Sequence, residues 1–174
     1  MARSRFLRLP PLEALATQFA GALSHGARGL TAEERADARA VFGDTIDLDS
    51  ISVVRASIAN APTTLGNTIR IGIEGELDRI TLIHELAHVW QYQTQGTAYI
   101  SDSAWHQVGA LLATGSRRAA YHLTEDDLSA RSIHDLSAEK QAVVIECWFA
   151  NPALREDPDY ARFLAEVRSA RKSS

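Results

Sequence analysis

Two histidines four residues apart, with a glutamate directly after the first, stand in the run HELAHVWQYQ at 84–93. At about 100° of rotation per residue, His84 and His88 fall on one helical face a turn apart, so both imidazoles can share one metal ion. Glu85 comes next round the helix and sits beside that face. Its carboxylate is placed to take a proton from a metal-activated water rather than to bind the metal. This spacing suits zinc and the hydrolysis of a peptide bond. A tetrahedral catalytic zinc takes three protein ligands and leaves the fourth position to water, so one more ligand must come from elsewhere in the chain.

The downstream segment SAEKQAVVIECWFA at 137–150 offers two choices. It reads as a helix begun by Asp135 or Ser137, with Val143, Val144, Ile145, Trp148 and Phe149 as packing residues. Glu139 and Glu146 lie seven residues apart on it, on one face but roughly 10 Å apart along the axis. Only one of them can easily complete the metal site, and spacing does not choose between them. The apolar run around Glu146 argues that this carboxylate is at least partly enclosed.

The elements that must position these groups read as an α+β fold, mainly helical with a small β-sheet. The histidine helix spans 78–95, with Asp78 as N-cap and Ile80, Leu82, Ile83, Leu86, Val89 and Trp90 as an apolar face opposite the histidines. It is expected to lie beside the second ligand helix at 136–150. Upstream, 12–23 has helical spacing and the glycines at 26–29 stop it, while Thr31 and Glu34 form a capping box for a helix ending near Phe42 and Gly43. The segments 51–57 and 68–74 read as strands joined by the turn-rich ANAPTTLGN, and Gly75 leads into the histidine helix. The region from 95 to 134 has little periodicity. Within it Tyr121 and His122, between the ligand helices, are the candidates for stabilising an oxyanion; His106 and His134 are assigned no role.

At 174 residues with 45% hydrophobic composition, the chain suits one domain over 1–174, with solvated tails at 1–10 and 170–174. A net charge of −4 gives no electrostatic reason to expect nucleic acid. The basic start lacks the apolar core of a signal peptide, and no apolar run has membrane-spanning length, so residence in the cytoplasm and no membrane partner are expected. The single cysteine, Cys147, excludes an intramolecular disulfide and reads as a core residue.

HELAHVWQYQ and AEKQAVVIECWF, with LTAEERADARAVFGDTIDLDSISV at 30–53, resemble the short zincin-like proteins of bacteria that are Vgr-related or found near type VI secretion and Rhs elements. The blocks cover about two thirds of the chain. The resemblance implies a gluzincin arrangement with Zn2+ on His84, His88 and Glu139, Glu85 as general base, a peptide or protein substrate, and association with a secretion system through which the protein could be exported. It places Glu139 where the family's downstream Glu stands; Lys140 departs from the Gln common at the next position. It further implies that the strand at 68–74 pairs with an extended substrate, unless that strand is interior. A second function class remains open, a metal-binding accessory or binding module of a secretion system with little or no hydrolysis.

Overall fold

The computed structural model describes residues 24–56, 62–96 and 123–171. In chain order the elements are β1 (Ser24–Arg28), α1 (Ala32–Phe42), β2 (Ser52–Ala56), β3 (Thr63–Leu65), β4 (Thr68–Gly72), α2 (Arg79–Gln95), α3 (Glu125–Leu128), a 3-10 turn (Ile133–Asp135), α4 (Ala138–Ala150), a second 3-10 turn (Pro152–Arg155) and α5 (Pro158–Ser169). The architecture is α+β, with helices predominating over one small mixed sheet. The expected helix at 12–23, the tail at 1–10 and residues 172–174 lie outside the described residues. No helix among the described residues is long and apolar enough to cross a membrane.

The helix termini follow local chemistry. Thr31 and Glu34 make the reciprocal capping box, and Gly43 ends α1 at positive φ. Asp78 accepts hydrogen bonds from the Ile80 and Thr81 amides at the start of α2, and Gly96 at φ +69° closes it. Ser137, one of the two expected starts, caps α4.

The sheet runs in the order β1-β2-β4-β3, with β2 and β4 parallel and the outer pairs antiparallel. The strands expected at 51–57 and 68–74 are present as β2 and β4. Two others depart from the sequence reading. Gly26, expected to stop a helix, lies within β1 at φ +61°, where the register with β2 shifts between His25 and Arg28. The glycine serves a bulge there. ANAPTTLGN, read as a turn, contains β3, which pairs through Thr64 with Ile69. Tertiary pairing overrides the turn composition of that stretch. β4 is therefore interior, with both edges hydrogen-bonded to β2 and β3, and cannot add a substrate strand as the resemblance implied. The edge strand beside α2 is β3.

α2 is the axis of the core. It packs against α4, α1 and β3, and every residue from Leu82 to Gln91 is buried. The apolar face opposite the histidines is thus not the only buried side, because α4 and β3 cover the histidine side as well. Ile80, expected in the apolar face, is instead 41% exposed, since the first turn of α2 stands outside that packing. Trp90 is fully buried and its Nε1 donates to the Val167 carbonyl at 3.2 Å, which ties α5 to the centre of α2. Near the N-terminus of α2, Arg79 grips Asp37 of α1 with two bonds of 2.6 Å and lies over the Phe149 ring of α4. Arg55 donates to the carbonyls of Gly72, Ile73 and Gly75, fixing the loop by which β4 enters α2.

β3 and β4 are joined by a two-residue turn, Gly66 and Asn67. Gly66 has φ +59° and no non-glycine residue among those described has positive φ, so the turn is of the II′ kind that glycine in first place favours. A Cβ at Gly66 would stand in ordinary contact with the Tyr92 ring of α2, 3.6 Å away, so the backbone alone sets the cost of a side chain. Gly66→Ala is expected to cost about 1 kcal/mol through the strained left-handed backbone, read as a lower urea midpoint with an unchanged slope.

Candidate metal centre

α2 and α4 bring His84, His88 and Glu139 together. Their potential ligand atoms all lie within 4.8 Å of one another, and they are the group among the described residues that could hold a metal ion. Glu139 Oε2 lies 3.4 Å from His84 Nε2, and Oε1 lies 3.6 Å from His88 Nε2. Ligands about 2.1 Å from a tetrahedral zinc stand about 3.4 Å from one another. The two observed separations, one to each carboxylate oxygen, are close to that edge.

The hydrogen bonds behind the ligands determine which imidazole nitrogen faces that point. Gln141 Nε2 donates to the Leu136 carbonyl at 2.9 Å, so its Oε1 faces Gln91. Gln91 Nε2 donates to that oxygen at 2.9 Å and to the Ala138 carbonyl at 2.8 Å. Because backbone carbonyls only accept, both amides are fixed in orientation. Gln91 Oε1 is then left facing His88 Nδ1 at 2.9 Å, which must carry the proton. Nε2 is therefore the nitrogen of His88 that faces Glu139. On the other imidazole, His84 Nδ1 lies 2.8 Å from Glu146 Oε2.

Charge follows the same arrangement. Burial alone would lower His84, but its hydrogen bonds with Glu139 and Glu146 and the nearby charge of Glu85 outweigh it and raise the imidazole from its ordinary 6.5 to about 9. Burial would raise Glu139, but bonding to His84 and His88 holds it well below the usual carboxylate range. In the metal-free protein a proton thus occupies the place that a cation would take.

Glu85 is buried beside this cluster and is held from the sheet. Thr64 Oγ1 of β3 donates to Glu85 Oε2 at 2.6 Å and also contacts the Glu85 carbonyl at 3.3 Å. A hydrogen bond to a charged group contributes about 1.5–3 kcal/mol, which offsets part of the cost of burying a carboxylate.

The structure brings His84, His88 and Glu139 together, and Glu85 follows His84 along α2. Glu146, the alternative third ligand, lies on the Nδ1 side of His84, away from the nitrogen that faces Glu139. Tyr121 and His122 lie outside the described residues. Cys147 is half-buried against the core, and burial raises its thiol. Lys140 reaches away to Asp127 of α3 at 2.6 Å, and His134 stacks on Trp90. Three supporting residues escaped sequence reasoning. Gln91 and Gln141 are polar residues inside runs that must be buried, a usable signal; Thr64 carried none, because its strand was not legible.

No protein-family model matches the sequence, and no curated protein matches it. Among solved structures the chain is similar to the effector domain of Pseudomonas aeruginosa VgrG2b, with a TM-score of 0.55 and 21% identity over 92% of this chain and 93% of that one. The fold is shared with that domain.

The paired shifts define a pH window. The raised His84 contributes stability that is full below about 6.5 and is lost as pH rises through about 9, and the lowered Glu139 contributes stability present above about 4.5 and lost as pH falls. Chelator-treated protein should therefore melt at its highest temperature between about pH 4.5 and 6.5 and lose stability toward pH 9. A divalent ion bound by this group would replace the proton, so protein saturated with such an ion should show no such fall. Thermal melts with and without metal across this range check both.

Proposed function

We propose that the protein is a zinc-dependent hydrolase of peptide bonds, with His84, His88 and Glu139 as metal ligands and Glu85 as general base. The observation that carries this reading is the convergence of two Nε2 atoms and one carboxylate at coordination spacing, with a separate buried carboxylate next along the helix from His84. Zinc bound by that donor set would supply Lewis acidity, bringing water to near-neutral acidity and polarising a carbonyl.

The rest is the work of the chain's own side chains. Thr64 holds Oε2 of Glu85 and so fixes the carboxylate in one rotamer. Through Oε1, Glu85 takes a proton from the attacking water and afterwards passes it to the amine leaving group. Gln91, held by Gln141, keeps His88 from turning, so that the donor set is preorganised before any substrate arrives. β3 supplies an edge next to this helix where an extended peptide can add by backbone pairing, the task that β4 cannot perform.

The solved neighbour is an effector domain, and this supports placing the chain in the same setting, as an effector handed on by a secretion system. Together with the sequence resemblance, it favours a peptide or protein target. Small-molecule chemistry has no corresponding support.

Replacing Glu85 with Gln removes the base and leaves the ligands intact. Zinc content should stay at one ion per chain, while cleavage of unfolded protein substrates falls by about 10²–10⁴-fold. A variant that cleaves at the wild-type rate would remove Glu85 from the chemistry. A wild-type chain that holds zinc but cleaves nothing would instead support a binding module of the secretion system.

A further inference from the structure

The two imidazoles of the donor set are held by different kinds of group. His88 Nδ1 faces the amide of Gln91, which is itself locked by Gln141 and two backbone carbonyls. His84 Nδ1 faces a carboxylate, Glu146 Oε2, at 2.8 Å. An ionised carboxylate can only accept, so in this pairing Nδ1 carries a proton, and Nε2 is the nitrogen that would offer a lone pair once a metal displaces its own proton. The two nitrogens of an imidazole point away from each other, and a group bonded at Nδ1 is turned away from an ion at Nε2.

We propose that Glu146 is a positioning residue of the metal centre. It accepts the Nδ1 proton of His84, holds the ring with Nε2 toward Glu139 and His88, and thereby sets the affinity for the metal without binding it. This inference rests on the reading of His84, His88 and Glu139 as ligands.

Helix geometry explains why α4 carries two carboxylates seven residues apart. They stand about two turns apart on one face, and the His84 ring lies between them, 3.4 Å from Glu139 on its Nε2 side and 2.8 Å from Glu146 on its Nδ1 side. One helix therefore supplies both a ligand to the metal and the brace for another ligand. The Glu146 side chain is 32% exposed, so core filling does not account for it and its replacement opens no large cavity.

The test uses the full chain and Zn2+ alone, with affinity measured by competition against a chromophoric chelator. Glu146→Leu removes the acceptor at similar volume, and Glu146→Gln restores a neutral acceptor. The expected result is about a 10–100-fold loss of zinc affinity in the Leu variant, with the Gln variant recovering most of that loss. In the zinc-loaded protein, the His84 Nδ1–H resonance should exchange slowly with solvent in wild type and in Glu146→Gln, and rapidly in Glu146→Leu. A Leu variant that binds zinc like the wild type, or a Gln variant no better than Leu, overturns the positioning role. His84→Ala separates the two levels. If it abolishes zinc binding while both Glu146 variants bind normally, only the role of Glu146 is lost; if it binds zinc like wild type, the metal centre itself is wrong.

Discussion

A helix that buries two imidazoles, a carboxylate and an amide within about two turns must find partners for all of them, since each unpaired polar group costs about 1–3 kcal/mol and a charged one more. That demand falls on α2, where His84, Glu85, His88 and Gln91 lie among Leu82, Ile83, Leu86, Val89 and Trp90. The fold answers it from two directions. α4 presents Glu139, Gln141 and Glu146 to the imidazoles and to Gln91, and β3 presents Thr64 to Glu85. Wholly apolar residues would stabilise these positions more simply. A polar row retained at the centre of the core is the pattern expected where function sets the sequence.

The remaining structure holds those two suppliers in place. Arg79 joins α1, α2 and α4 at one end of the site. Gln93 works at the other end, accepting from the Asp47 amide and donating to Ser50 and Asn67, so the turn that carries β3 is tied to α2. The Trp90 bond to the Val167 carbonyl fixes the back of α2 to α5. Each of these joins elements distant in sequence, which is how a small sheet and a set of helices can hold side chains to within coordination distance.

Much of this was legible in the chain because it depends on local rules. The capping box at Thr31, the caps at Asp78 and Ser137, and the spacing of His84 and His88 involve residues a turn apart, and each stands as read. The choice between Glu139 and Glu146 was not local. Helical spacing puts both on one face, and only the packing of α4 against α2 decides which turn meets the Nε2 atoms. β1 and β3 were illegible for a related reason. Gly26 and the Pro, Thr, Gly and Asn residues before β4 favour turns in isolation, while pairing with β2 and β4 makes strands of both segments. Thr64 was hidden with its strand. The interior place of β4 follows from the same missed hairpin.

One cation shared by residues of two helices is the central proposal. Its most direct test is a crystal grown with zinc and without chelators, with anomalous data collected at the zinc absorption edge. A single strong peak is expected about 2.0–2.2 Å from His84 Nε2, His88 Nε2 and a carboxylate oxygen of Glu139, with Glu146 on the far side of the His84 ring. A map with no peak between α2 and α4, or with the metal on an Nδ1 atom and Glu139 turned away, would contradict it.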